Sequence, residues 1–411
     1  MKISITKFPA LILVAGCLTT GCGQRSVNQP PPIPWDSVSL VQEQKGYSLP
    51  PSLVTVDLEE DLPEFHLKME LKQHKFIPLE TTPTLHLDKD RHIRYLSENY
   101  CGIVNQKRGE VFIFKLDDGK CVSYINHQGP GPIEYPTLAD VVVDEKAEEV
   151  FILSYNRSML VYSFDGKYQR RFTIPRDVPV LKIFDFDNDA LLASEGIHHT
   201  KENSILNETP YLLLSKQTGE IISPLNIRPA KHSSVGGGEW VLTTPNMIKN
   251  GKDIYLSHLS SDTLYHIEQG GKLKPFLVRQ PSVFGKKPQI LFQVMDKMGS
   301  YMTFVKTINQ IVPNSPKGYE FKHEYYVLNL ETGEMFKLGV TKFLSNFDDN
   351  LSFAFDVGMI SDLAANTIAT LVDADILLDD LKNGKVKSDE LKQVFSKLQE
   401  EDNPVLVIYK Y

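Results

Sequence analysis

Five times along this chain one or two polar residues are followed by glycine and then by Lys or Glu, with β-type runs on both sides. The copies are Asp117-Asp118-Gly119-Lys120, Asp165-Gly166-Lys167, Gln217-Thr218-Gly219-Glu220, Gln269-Gly270-Gly271-Lys272 and Glu331-Thr332-Gly333-Glu334. The runs before them include Val111-Phe112-Ile113-Phe114, Met159-Leu160-Val161-Tyr162 and Tyr325-Tyr326-Val327-Leu328. Glycine accepts positive φ, and a polar–Gly pair between two β runs marks a hairpin. A chain built this way is a β repeat protein before it is anything else.

The spacing selects the architecture. Gly119 and Gly333 stand 214 residues apart over four intervals, about 53 residues per unit. The 336 residues from 76 to 411 therefore hold about six units. A four-stranded unit of roughly 40–50 residues repeated around an axis is the pattern of a β-propeller. Seven blades would need more chain, and a linear solenoid fits poorly because each unit is long and holds several hairpins. The expectation is an all-β, six-bladed propeller with four-stranded antiparallel blades over residues 51–411.

One blade reads in full. Its strands are 138–143, 149–153, 158–164 and 167–173, with Tyr168, Arg170 and Phe172 on one side of the outermost strand. The last blade differs. Ile376, Leu377 and Leu381 share a helical face, and so do Leu391, Val394, Phe395 and Leu398. Ser388 suits an N-cap and Gly384 a helix end. A helical hairpin is thus inserted before a final strand, Val405 to Tyr411. An open ring would leave two sheet edges unpaired, so Phe76 to Leu79 is expected to pair with that strand and close it.

The N-terminus reads as an address. Lys2 and Lys7 precede a short apolar run, Phe8 to Val14, and Val14-Ala15-Gly16 leads into Cys17. The run falls short of the ~20 residues needed to span a bilayer, and the layout is that of a cleaved export signal, residues 1–16. Cys17 after Val-Ala-Gly is similar to a bacterial lipobox, in which the cysteine is acylated. Cys22, after Leu18-Thr19-Thr20-Gly21, is the rival position. Pro30, Pro31, Pro32 and Pro34 favour extended polyproline II, so residues 17–50 read as a tether between a lipid anchor and the propeller.

Several segments resemble one family, the six-bladed β-propeller lipoproteins of gut-type Gram-negative bacteria. They are Phe76-Ile77-Pro78-Leu79-Glu80-Thr81-Thr82, His127-Gln128-Gly129-Pro130-Gly131-Pro132-Ile133-Glu134-Tyr135, Val161 to Lys167, and Asp402-Asn403-Pro404-Val405-Leu406-Val407-Ile408-Tyr409. At the second segment Ile133 stands where the family pattern has glycine. The resemblance implies an NHL-repeat-like propeller on a lipid anchor in the cell envelope, at the outer membrane. Fold of this kind does not name an activity.

Chemistry is sparse. Backbone N–H groups around Gly129 and Gly131 could form an anion nest with Glu134 facing a ligand; the competing reading has Glu134 satisfying donors within its own loop. Trp240 is either a stacking platform for a ligand or packing between blades. Asp185-Phe186-Asp187-Asn188-Asp189 begins like a calcium loop, but Ala190 replaces the required glycine, so a hairpin turn is expected. His198-His199 and the other histidines follow no ligand spacing, so no metal site is assigned. Neither a Gly-x-Ser-x-Gly elbow nor a His-Glu-x-x-His motif is present. Cys101 and Cys121 fall on the second and fourth strands of the first blade, too far apart for a disulfide.

A net charge of −8 gives no general attraction to nucleic acid. The expectation is a membrane-anchored module binding an unidentified ligand or envelope protein, with no catalytic residues and no cofactor assigned. The alternatives are a metal-dependent propeller enzyme with its site on the axis, and an architectural subunit of an envelope complex.

Overall fold

The computed structural model describes residues 53–411, apart from 176–179, 196–209, 228–230, 234–238, 242–244, 252, 260, 285–288, 312–318, 346–350, 353–361 and 364–365. It is a six-bladed β-propeller. Blade 1 holds strands His92–Leu96, Tyr100–Asn105, Glu110–Lys115 and Cys121–Ile125. Blade 2 holds Asp140–Asp144, Glu149–Leu153, Ser158–Ser163 and Tyr168–Thr173. Blade 3 holds Val180–Asp185, Ala190–Glu195, Tyr211–Ser215 and Ile221–Leu225. Blade 4 holds Pro245–Asn250, Asp253–His258, Thr263–Ile267 and Leu273–Gln280. Blade 5 holds Gln289–Met298, Tyr301–Ile311, Tyr319–Asn329 and Met335–Ser345. Blade 6 pairs Thr367–Val372 with Val405–Lys410, and Val405–Lys410 with Gln73–Pro78.

The physical basis is alternation between two cores. Successive side chains of a strand point to opposite faces, and each blade face meets a different neighbour. Val405, Val407 and Tyr409 enter the core between blades 5 and 6, while Leu406 and Ile408 enter the core between blades 6 and 1. The described residues form six such apolar clusters, one at each interface of the ring. Inner strands are therefore buried on both faces, as in Asp140-Val-Val-Val-Asp144. The outer strand Tyr168–Thr173 alternates half-buried with exposed, and Tyr168, Arg170 and Phe172 are its inward set.

All five repeated glycines lie in the hairpin between the third and fourth strands of blades 1 to 5. Blade 6 has no such hairpin because its outer strand comes from the other end of the chain, which is why five repeats make six blades. In blades 1 and 3 the glycine also sets blade spacing. A Cβ on Gly119 would lie 2.1 Å from the Pro78 carbonyl oxygen in blade 6, and one on Gly219 would lie 2.3 Å from the Phe172 ring in blade 2.

Closure occurs as expected: Phe76 pairs with Val407 and Ile77 with Leu406. The sequence reading missed the rest of the N-terminal segment. Val54–Asp57 adds a parallel strand to the edge of blade 4, and Glu64–Leu71 adds one to blade 5. Residues 54–78 thus strap three consecutive blades. Between them Leu58 is fully buried, and its carbonyl accepts from Lys306 Nζ at 2.7 Å.

The helical hairpin of blade 6 comprises α1 (Ala374–Lys382) and α2 (Asp389–Phe395). Ser388 caps α2, its hydroxyl accepting from Leu391 N–H at 3.4 Å, and Gly384 follows α1 with φ +67°. One expectation fails: Ile376 is 37% exposed. The helix begins at Ala374, so its buried face runs through Ala374, Leu377 and Asp380, and Ile376 turns outward. Cys101 and Cys121 both pair with Phe114 on the strand between them and are free thiols, as expected.

Candidate functional site

In a propeller the first strands of the blades surround the axis. Two layers of charge lie there. The first is built on Arg94 in blade 1, which crosses the axial region to reach two other blades. Its Nε and Nη2 donate to the Asp140 carboxylate of blade 2 at 2.7 and 3.0 Å. Its Nη2 also donates to the Ile183 carbonyl of blade 3 at 2.6 Å, and the guanidinium lies 4.9 Å from the Phe184 ring centroid. Asp140 completes the clamp by accepting from Val141 N–H and Ile183 N–H at 3.0 and 2.9 Å. Both side chains are buried. Burial works against the Asp140 charge, but Arg94 and then Lys182 outweigh it and hold its pKa below the ordinary value.

His92 and Lys182 flank this clamp. His92 lies two residues before Arg94, and Lys182 immediately precedes Ile183. Burial holds the His92 pKa below the usual imidazole value, helped by the positive charges of Lys182 and Arg94 and opposed by Asp140. Lys182 itself is exposed.

The second layer lies where the inner strands end. Lys216 of blade 3 sits between Asp144 of blade 2 and Asp185 of its own blade, the latter at 2.6 Å. Lys249 of blade 4 approaches Asp185 at 3.8 Å. Burial disfavours the Lys216 ammonium, yet the two carboxylates raise its pKa overall. This chain of charge links blades 2, 3 and 4. At the same end Asp362–Leu363 pairs in parallel with Tyr95–Leu96 of blade 1 and with Asn250 of blade 4. Those blades are opposite one another, so main chain crosses the axis there, bridging about 10 Å at two strand spacings.

The residues singled out from sequence fall as follows. Glu134 turns into its own loop: its Oε2 accepts from Gly131 N–H at 2.8 Å. A Cβ on Gly129 would lie 2.1 Å from that same oxygen. The glycines are thus needed for close approach. The loop is pinned further by Tyr162 OH donating to the Ile133 carbonyl and Tyr135 OH donating to the Gly109 carbonyl, at 2.8 and 2.5 Å. Asp187 Oδ1 accepts from Asp189 N–H and Ala190 N–H, which makes the Asp-rich segment a hairpin turn. Trp240 pairs with His232 in a short two-stranded ribbon. Cys17, Cys22 and His198-His199 lie outside the described residues. No group of three metal-ligating side chains occurs among the described residues. The Arg94–Asp140 clamp was missed from sequence. The signal available was Arg94 within the inner strand His92–Leu96 and Asp140 at the head of the apolar run Val141–Val143.

The fold and the sequence both have relatives. A presumed exported protein from Bacteroides fragilis superposes with a TM-score of 0.53 at 15% identity, over 87% of this chain and 99% of that one. A member of the DUF4221 family from Bacteroides vulgatus gives a TM-score of 0.44 at 13% identity, over 83% of this chain and 96% of that one. No curated protein matches the sequence. The family described as domain of unknown function (DUF4934) matches residues 53–410, nearly the whole propeller with its N-terminal strap, and the chain belongs to that family.

Proposed function

We propose that this protein is an envelope lipoprotein, acylated at Cys17 with Cys22 as the alternative, whose propeller binds a ligand at the mouth of its axis. The observation that carries the binding reading is the unequal treatment of the two ends. Where the inner strands end, Lys216 and Lys249 meet Asp144 and Asp185, and main chain crosses the axis. Where they begin, the Arg94–Asp140 clamp holds three blades rigidly and leaves His92 and Lys182 beside it. A rigid scaffold presenting a few polar groups is a common layout of a binding site. Export of the Bacteroides fragilis relative, as its description has it, agrees with the signal-like residues 1–16.

A metal-dependent reaction on the axis is the less supported reading. His92, on the first strand of blade 1, feels the positive charges of Lys182 and Arg94, which oppose a divalent cation.

The test is a melting-temperature screen of the full chain against glycans, peptides and organic anions, each with and without a chelator. Hits are mapped by hydrogen exchange. A ligand that protects residues around His92, Asp140 and Lys182, insensitive to chelator, supports the reading. Stoichiometric zinc lost on His92→Gln substitution, or protection confined to other faces, overturns it. Labelling with an alkynyl fatty acid in Cys17→Ala and Cys22→Ala variants tests the anchor; unchanged labelling in both removes it.

A further inference from the structure

We propose that blade 1 carries a separate binding site on its outer rim, where Tyr124 takes a pyranose ring of a neutral glycan against its open face and Asn126 and Arg108 take the sugar's hydroxyls. The site lies away from the axis, and it stands or falls independently of the binding reading above.

The site begins with a ring that is open on one side. Tyr124 lies on Cys121–Ile125, the outermost strand of blade 1, and among the described residues no strand pairs with the free edge of that strand. Its cross-strand partner is Phe112. The two rings stack nearly parallel, at 22°, with centroids 4.9 Å apart. Phe112 therefore covers one face of Tyr124, and the 43% exposure of this tyrosine falls on the other. The ring is also fixed at its tip. Its hydroxyl donates to Glu110 Oε1 at 3.2 Å and accepts from Asn126 Nδ2 at 3.3 Å. Glu110 Oε2 meets Arg108 Nε at 3.2 Å, so one carboxylate ties the tyrosine to the guanidinium. Glu110 is buried, and burial pushes its pKa up against the pull of Arg108 and the Tyr124 hydroxyl. The turn carrying Arg108 is pinned as well: Asn105 Oδ1 accepts from Arg108 N–H at 3.1 Å, and the Gly109 carbonyl accepts from Tyr135 OH at 2.5 Å.

A flat aromatic face is thus held rigid, with two exposed hydrogen-bonding side chains at its rim, Asn126 and Arg108. Asn126 has donor and acceptor capacity beyond its contact with Tyr124, and Arg108 has guanidinium N–H groups to spare. A pyranose ring matches this set. Its CH groups meet the negative π face, while its hydroxyls donate and accept around the edge. A flat aromatic ligand would leave Asn126 and Arg108 without partners, and an ammonium group would meet the Arg108 charge. An ordinary edge tyrosine that only satisfies Glu110 is the competing account, and it gives no affinity for sugar.

The probes are cellohexaose, maltohexaose and mannohexaose, each added to the full chain. The readout is NMR saturation transfer from the protein to the sugar's ring protons, with affinity taken from its concentration dependence. At least one probe should bind, and Tyr124→Ala should weaken it by more than about tenfold. Tyr124→Phe keeps the face and loses the hydroxyl, so its affinity should stay within about threefold of wild type. Asn126→Ala should weaken binding about fivefold, the loss of one neutral hydrogen bond. Thermal melts show which variants are folded at the titration temperature; where Tyr124→Ala is not, Asn126→Ala decides, and unchanged affinity there overturns the proposal. No transfer to any of the three sugars, or equal affinity in Tyr124→Ala, overturns it too. Binding that survives Tyr124→Ala and is lost in His92→Gln puts the sugar on the axis, so the reading above stands and this inference falls.

Discussion

Leu87 and Asn403 stand 316 residues apart in sequence and are joined by a 2.7 Å hydrogen bond from the Leu87 N–H to Asn403 Oδ1. The same side chain donates to the carbonyls of Glu80 and Leu85 at 2.7 and 2.9 Å, and Asn403 N–H donates to Thr81 Oγ1 at 2.8 Å. One buried amide thus satisfies three main-chain groups on the segment that follows the closing strand. It joins the end of the helical insertion in blade 6 to the connection entering blade 1.

Replacing Asn403 with Ala should cost about 2–4 kcal/mol, because three buried main-chain groups lose their partners. Asn403→Asp keeps the acceptor for Leu87 but sets a carboxylate against two carbonyls, so it should be no better at neutral pH. Urea unfolding of both variants checks this. A loss below about 0.5 kcal/mol in Asn403→Ala would mean water replaces the amide and the clasp is dispensable.

The repeated glycines separate two physical roles. Gly119 and Gly333 have φ of +71° and +75°, so alanine at either pays the left-handed penalty, about 1–2 kcal/mol. Only at Gly119 would the new Cβ also strike backbone, the Pro78 carbonyl at 2.1 Å; at Gly333 nothing lies within 4 Å. Gly119→Ala should therefore destabilise the ring by clearly more than Gly333→Ala in parallel thermal melts. Equal losses would show that the closing strand yields to the hairpin.

How much of this was legible beforehand follows from which interactions are local. The hairpin turns, the inward set Tyr168, Arg170 and Phe172, and the Ser388 cap each depend on neighbours a few residues away, and all were readable. Closure was readable because a ring has no free edge, so Phe76 had to meet the last strand. The parallel strands of the N-terminal strap were not. Glu64–Leu71 pairs with residues 337–345, and its alternation alone names no partner. Arg94 was missed for a related reason: one charge in an apolar strand signals a buried partner without saying that Asp140 and Ile183 supply it. Glu134 was readable as a residue type, while its direction, into its own loop, required the geometry.

The Arg94–Asp140 clamp should behave as a coupled unit. Removing either partner leaves a buried charge alone, at a cost of about 3–5 kcal/mol. Arg94→Met and Asp140→Leu together should lose less than the sum of the singles, with a coupling of more than about 1 kcal/mol in a double-mutant cycle. Strict additivity would mean that the axial region admits water and screens the pair.

Two carboxylates in blade 5 should set opposite pH slopes on stability. Hydrogen bonding from Lys306, with Lys322 and Tyr326 adding to it, overcomes burial and holds the Glu324 pKa down to about 2. Its folded value is below its unfolded one, so its contribution is complete above about pH 5 and is lost as pH falls toward 2. Lys306 also holds the Leu58 carbonyl, so the strap between blades 4 and 5 should loosen in the same acid window. Asp296 runs the other way: burial pushes its pKa up to about 6, against the hydrogen bond from Lys297 N–H. Its raised value favours the folded state below about pH 4, and that benefit disappears as pH climbs through 6. Glu324→Gln should therefore flatten the stability profile between pH 2 and 5, and Asp296→Asn should stabilise the protein at pH 7 with no gain at pH 3.5. Chemical denaturation of the two variants across that range measures both slopes. A Glu324→Gln profile parallel to the wild type would show that Lys306 is held by Leu58 alone, and an Asp296→Asn protein no more stable at pH 7 would show that the carboxylate is solvated in the folded state.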